Sequence, residues 1–298
     1  MFRKLLATSI LAAMSSSVFA APEIYGKVNV SLQSSDGGDG AITELKSNSS
    51  RIGFQGSEEL EGGLTVVYKY EMQVDVADES GEKNLKSRNQ YIGIKGSFGE
   101  VLLGRNDTVL KQSQGKLDIF SDYEGDIKNM WKGENRMSDS VTYKSPKISG
   151  VQFGVSYILD EDNDDSAVSL SAVYGDKALK KGKYYVGAAF DSEVKGYDIA
   201  RITLGAKVSD VKIGLMLQSQ ENVETGADAS GVLVNGQYKV GAYNLKAQFQ
   251  TLEDDNGFSL GADRKLGKNT KAFAFYTTFT PDAGEDESYL ALGLEHKF

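Results

Sequence analysis

The stretch Arg201–Leu217, RITLGAKVSDVKIGLML, is the one on which the fold turns. Ile202, Leu204, Ala206 and Val208 alternate with Arg201, Thr203 and Lys207. Ser209-Asp210 then reverses the chain, and Val211, Ile213, Leu215 and Leu217 resume the same period. A period of two sends successive side chains to opposite faces of a strand, so this is a hairpin with one oily and one wet face.

The same signal repeats outward in both directions. Before it come Val151, Phe153, Val155 and Tyr157, then Val168, Leu170, Ala172 and Tyr174, then Tyr184, Val186, Ala188 and Phe190. After it, runs centre on Val232–Val240, Leu245–Thr251, Phe258–Leu266, Lys271–Phe279 and Ser288–Phe298. At the front, Ile24, Val28, Val30 and Leu32 alternate with Tyr25, Lys27, Asn29 and Ser31. Farther on, Leu64, Val66, Tyr68, Tyr70 and Met72 oppose Lys69, Glu71 and Gln73, and Val141 and Tyr143 oppose Arg136, Ser138, Ser140, Thr142 and Lys144.

About sixteen such runs are joined by short turns at one end and longer loops at the other, the pattern of an outer-membrane barrel. The short turns include Gly96–Gly99, Ser209-Asp210 and Gly267–Asn269; the longer loops include Ser34–Leu45, Asp75–Lys86, Asp160–Ser166 and Glu221–Ala229. A soluble sandwich would alternate in the same way. Against it stand a wet face rich in Arg, Lys, Glu and Gln and aromatic residues recurring near strand ends, as in interfacial girdles. The expectation is an all-β, transmembrane, antiparallel β-barrel, closed because lipid offers no water to an open sheet edge.

Both ends fit export. Arg3 and Lys4 precede apolar Leu5–Ala13, and Val18, Phe19 and Ala20 give a small-x-small pattern, so residues 1–20 read as a cleaved signal peptide and 21–298 as a single barrel domain. Removing them takes Lys plus Arg from 33 to 31 against 42 Asp plus Glu, a mature charge of about −11. That argues against nucleic acid as a partner, since phosphate binding needs a basic surface. Cys is absent, which suits an exported protein with no disulfide framework. No mature window holds eighteen consecutive apolar residues, which excludes membrane-spanning helices.

One segment breaks the monotony. Arg105–Arg136, GRNDTVLKQSQGKLDIFSDYEGDIKNMWKGENR counted from Gly104, carries Asp118, Asp122, Glu124 and Asp126 together with Leu117, Ile119, Phe120, Ile127 and Trp131. A loop lying in water has little use for those apolar side chains. The segment is therefore expected to fold into the lumen and narrow it. In the two strands before it, Arg88 shares parity with Ile92 and Ile94, and Arg105 with Val101 and Leu103. Apolar residues on both faces imply cover on both. Leu117, Ile119, Phe120 and Trp131 are expected to supply it by docking there.

The phrases EIYGKVNVSL, SRIGFQGSEELEGGL, SRNQYIGIKGSFGEVLLGR, GENRMSDSVTYKSP and LALGLEHKF are similar to those of the trimeric general diffusion porins of Gram-negative bacteria. The likeness touches both ends and is densest over the first half. It implies a sixteen-stranded barrel whose third loop folds inward, its acids facing a basic ladder. By that resemblance Lys27, Arg51, Arg88, Arg105 and Arg136 form the basic wall, and Asp118, Asp122, Glu124 and Asp126 the acidic side. The PEFGG phrase found at the loop tip of enterobacterial members is missing, which leaves open which acids reach the narrow point. Terminal Phe298, preceded by apolar residues at every second position, resembles the assembly signal of outer-membrane proteins. The implied partners are a homotrimer, outer-membrane lipid and lipopolysaccharide, the barrel assembly machinery and small hydrophilic solutes.

No cofactor or metal is expected. The sole His, His296, sits on the apolar parity near the end, so no nucleophile–base pair for acyl hydrolysis is offered. The run Asp160–Asp165 lacks the spaced Gly and terminal Glu of an EF-hand loop, and reads as a solvated loop or an attractor of divalent cations. The net acid predicts a weak preference for cations. Two alternatives stay open beside passive diffusion: a substrate-specific channel, and an adhesin or phage receptor with an incidental pore.

Overall fold

The computed structural model describes residues 21–77, 84–159 and 166–298. The expected signal peptide and the acidic run Asp160–Asp165 lie outside the described residues. The strands are β1 Glu23–Asp36, β2 Ile42–Ser47, β3 Arg51–Glu59, β4 Thr65–Val74, β5 Leu85–Gly96, β6 Gly99–Asp107, β7 Arg136–Lys144, β8 Val151–Ile158 and β9 Ala167–Gly175. They continue as β10 Tyr184–Ser192, β11 Tyr197–Val208, β12 Val211–Asn222, β13 Asp228–Val240, β14 Tyr243–Leu252, β15 Asp255–Lys265, β16 Thr270–Thr280 and β17 Glu287–Lys297.

Pairing is antiparallel throughout, and β17 returns to β1 with Lys297 opposite Lys27 and Ser288 opposite Asp36. Both β2 and β3 pair with β1, the first along Val30–Ser35 and the second along Glu23–Lys27. They are two halves of one strand, parted at Asn48–Ser50, where Ser49 takes φ 52°. Counted so, the described segments close into a barrel of 16 strands. The expected all-β barrel is what the chain forms.

Polarity is inverted relative to a water-soluble domain. Along β1, Asn29, Ser31 and Gln33 are fully buried, whereas Ile24 is 70% and Leu32 57% exposed. The outward parity of the later strands is the same, with Ile213, Leu245, Phe249, Leu290 and Leu292 all exposed. An apolar belt of that extent is stable only against lipid or another subunit. The β1–β17 ladder of the seam is extended by Phe298: Gly26 N–H donates to Phe298 O (3.0 Å) and Phe298 N–H to Gly26 O (3.1 Å).

Two irregularities decide what the inner wall carries. Between the pairs Tyr70–Gln90 and Met72–Ser87, Arg88 and Asn89 together oppose Glu71 alone. This bulge flips the parity of β5, so Arg88 reaches the inner face while Ile92 and Ile94 point out, 56% and 42% exposed. On β6, ahead of a second register shift between Gly104 and Asn106, Leu103 faces outward as well, 50% exposed, and Leu102 faces in, 3% exposed. The expectation that Ile92, Ile94 and Leu103 face inward is therefore corrected, and with it the idea that a loop must cover them there.

Candidate functional site

The segment 108–135 leaves β6, begins with α1 Val109–Ser113, and returns at β7, its root closed by Thr108 N–H donating to Asn135 O (3.1 Å). The Thr108 side chain caps α1 by accepting from Lys111 N–H (3.3 Å). From there the chain touches one strand after another. Leu110 N–H donates to Ser169 Oγ of β9 (3.0 Å), and Tyr185 Oη of β10 donates to Ser113 O (2.7 Å). Asn235 Nδ2 of β13 donates to Leu117 O. Gln248 Nε2 of β14 donates to Gly125 O (2.7 Å), and Trp131 Nε1 donates to Thr251 O at the end of β14 (2.7 Å).

Apolar contacts follow the same arc. Leu117, Ile127 and Trp131 cluster with Leu179, Tyr185, Met216 and Leu233, all buried. Ile119, Phe120 and Tyr123 cluster with Phe273, Phe275 and Ala291. The four side chains expected to dock are buried, but against β10–β17 and not against the strands just before the segment. Room for them comes from glycines at inward positions. A Cβ at Gly205 would meet Leu117 Cδ1 at 2.8 Å, at Gly231 Trp131 Nε1 at 2.7 Å, and at Gly261 Phe120 Cε1 at 2.9 Å. Glycine inside a strand marks close approach of another part of the chain. That row of glycines is the signal the sequence held and a search for alternation passes over.

The tip arrives at the opposite wall. Asp122, in the left-handed region at φ 76°, puts Oδ2 2.7 Å from Lys27 Nζ of β1 and 2.6 Å from Arg51 Nη2 of β3. Burial would raise its carboxyl, but Arg51 and then Lys27 outweigh that and hold it well below the usual carboxylate range. Glu124 accepts from Gln33 Nε2 (3.0 Å) and lies 3.3 Å from Lys46 Nζ.

Asp118 and Asp126 are turned into the segment itself. Asp126 accepts from the N–H groups of Asp122 and Lys128, each at 3.0 Å, and Asp118 from Ile127 N–H at 3.4 Å. For Asp118, burial first, then the charges of Asp126 and Glu134, push the carboxyl well above its ordinary range. A raised folded-state pKa leaves stability intact below the unfolded value and erodes it as pH rises, because unfolding then releases a proton. Asp118→Asn keeps the acceptor and loses the ionisation. The variant is expected to gain heat stability over the parent at pH about 8, the gap closing as pH falls to about 4. Melting in detergent across that range checks it; a gap that widens on acidification contradicts it.

The remaining basic residues find acids on the wall itself. Arg88 Nε lies 2.6 Å from Glu71 Oε1, and Glu71 also accepts from Tyr25 Oη (2.9 Å) and approaches Arg51 (3.9 Å). Arg136 Nη2 lies 2.9 Å from Asp107 Oδ1, with Nε donating to Asn89 Oδ1 (2.8 Å). Arg105 departs from the expected wall: on Leu103's outward parity, it donates Nη1 to Ser138 Oγ (2.9 Å) in an exposed contact. Glu71, Asp107 and Glu295, the last 3.5 Å from Lys27, are the wall acids that the sequence reading did not single out, although Glu71 and Glu295 stand on the wet parity. A base that escaped notice in the same way is Arg201 of β11, fully buried and joined to Glu134 (2.7 Å), Gln218 (2.7 Å) and Lys132 O (3.1 Å).

The family model described as Gram-negative porin matches residues 7–284. The chain belongs to that family. Among its relatives, the major outer membrane protein P.IB of Neisseria meningitidis is 26% identical over 336 residues, covering 99% of this chain and 100% of the relative. Of solved structures, the anion-selective porin from Comamonas acidovorans superposes with TM-score 0.72 at 18% identity, covering 93% of this chain and 99% of that one. The in-vitro folded OmpT of Vibrio cholerae, in its trimer form, gives 0.68 at 16%, covering 93% and 99%. This porin is thus an outer-membrane channel for passive diffusion and not an enzyme.

Proposed function

We propose that the segment 108–135 narrows the lumen and that solutes pass between it and the wall carrying Lys27, Arg51, Arg88 and Arg136. The observation that carries this reading is Asp122, which belongs to a segment rooted at β6 and β7 and is bound to Lys27 and Arg51 on β1 and β3. Four cations of the wall stand against Asp122, Glu71, Asp107 and Glu295, so the charge at the narrow point is near balance. Facing charges orient water and favour polar or charged solutes over apolar ones. Arginine suits such a wall because its charge survives burial. Balance at the narrow point and net acid elsewhere give a general pore with a weak cation preference.

Single-channel conductance in bilayers, with liposome swelling by sugars of graded size, tests the reading. A smooth fall of swelling rate with sugar size is expected. Saturation by one sugar, with steep discrimination among isomers of equal size, would instead mean a substrate-specific channel. The working unit is a homotrimer, a reading supported by the trimer form of the Vibrio protein and by the extensive apolar outer face. Lipid and lipopolysaccharide cover the remainder, and Phe298, closing the seam against Gly26, is the residue offered to the assembly machinery.

A further inference from the structure

At the turn end of the barrel, the connection between β9 and β10 stands out. The turns β5–β6, β11–β12 and β13–β14 use two residues each, whereas this one spans 176–183, GDKALKKGK counted from Gly175. It does not hang free. Leu179 is fully buried in the apolar cluster beneath the segment 108–135, Lys177 O accepts from Lys116 N–H (2.8 Å), and Ala178 O accepts from Lys212 Nζ (2.7 Å). Folding inward in this way, it walls a cavity of about 520 Å³ under α1 and beside β7–β10.

Five lysines line that cavity: Lys144, Lys147, Lys177, Lys180 and Lys181. Among the described residues its one acid is Asp176, and that carboxylate is already committed to the turn. It accepts from the N–H groups of Ala178 (3.0 Å), Lys180 (2.8 Å), Lys181 (2.7 Å) and Gly182 (3.0 Å). Lys144 lies 3.8 Å from Glu100, and among the described residues no carboxylate pairs with the other four. The amides of Gln112 and Gln152 add polar groups to the lining. A second cavity on the opposite arc of the same end makes the contrast. There six lysines, Lys212, Lys239, Lys265, Lys268, Lys271 and Lys297, are accompanied by three acids, Asp210, Asp263 and Glu295, with Lys271 3.7 Å from Asp263 and Lys297 3.3 Å from Glu295. In a chain of net charge −9, five lysines against a single acid that is committed to its own turn make the 176–183 cavity strongly basic.

We propose that the cavity walled by the 176–183 turn is a turn-side binding site for multiply charged phosphate oxyanions, loading phosphorylated small solutes below the narrow point. This rests on the porin reading, in which the turn end of the barrel is one mouth of the solute path. Several lysines converging on a partly enclosed space attract a di- or trivalent anion far more than a monovalent one, because each added charge meets the same focused potential. The ammonium groups on flexible stems suit anions of varied shape, where a bidentate arginine would select one geometry.

Inorganic pyrophosphate is the probe, added to one side at a time of the full-length channel in a planar bilayer at low salt. Block of the potassium current from one side only is expected. The half-blocking concentration should rise about tenfold or more in K177Q/K180Q/K181Q, exposed turn residues whose loss leaves Asp176 and Leu179 in place. The matched triple K239Q/K265Q/K268Q should leave it unchanged. Equal effects of the two triples would reduce the result to diffuse surface charge and overturn the proposal, as would the absence of block. Calorimetry with pyrophosphate on the detergent-solubilised protein separates the two readings. A channel that conducts but does not bind loses this site alone, while a protein that binds but does not conduct loses the porin reading.

Discussion

Asp122→Asn is expected to shift the reversal potential in a salt gradient toward anions and to raise conductance. The carboxylate is the one acid that the segment 108–135 delivers to Lys27 and Arg51, and neutralising it leaves both cations facing the path with a single unit of charge less against them. A unit charge acting on an ion about 7 Å away through water is worth about 0.6 kcal/mol, about a threefold change in local concentration. The low-dielectric barrel wall enlarges that figure. An anion-to-cation permeability ratio several times the parent's is therefore expected, together with noisier open-channel current as the tip loses its anchors.

The pH dependence follows from the same contacts. Because Arg51 and Lys27 hold the Asp122 carboxyl well below the usual range, its contribution to selectivity and docking is present at neutral pH and lost only as pH falls through that lowered value. A free carboxylate in water titrates at about 4. Parent selectivity should consequently persist through that pH, and a collapse there would place control in the exposed acids. An unchanged reversal potential in Asp122→Asn would take the tip out of the mechanism.

Much of this site can be read in the sequence because the barrel obeys a strict period of two. Lys27 and Arg51 stand on the wet parity of clean strands, and both reach Asp122. The acids of the segment could not be ranked that way. Nothing in the order of Asp118, Asp122, Glu124 and Asp126 tells which of them a local turn will consume, and two are spent on backbone N–H groups. Arg88 and Arg105 mark the other limit. A bulge at Arg88-Asn89 inverts the parity on which the inward set of β5 was counted, so Arg88 comes in with Ile92 out, whereas Arg105 keeps the parity of Leu103 and leaves the wall with it. The docking surface was obscured for a related reason: its mark is the absence of a side chain at Gly205, Gly231 and Gly261, which hydrophobic periodicity does not register.

The largest change in pore size is expected from Trp131→Ala. The indole is 1% exposed, lies against Gly231 and donates to Thr251 O, and it belongs to the cluster that also holds Leu117, Ile127 and Leu179. Truncating a buried aromatic to Ala costs about 3–5 kcal/mol where the surroundings cannot collapse. Here the loss falls on the docking of one segment, since the strands keep their ladder bonds, so the closed barrel should survive while the segment leaves the wall. Larger single-channel conductance, a higher sugar cut-off in swelling assays and new protease cleavage between Leu117 and Trp131 are the expected results. Gly231→Val should reproduce them from the other partner, because its side chain would occupy the space of the indole ring. Agreement between the two variants would assign pore width to docking on the β10–β17 wall. A Trp131→Ala channel with the parent's conductance and cut-off would mean that Asp122, Arg201 and the remaining apolar contacts hold the segment without it.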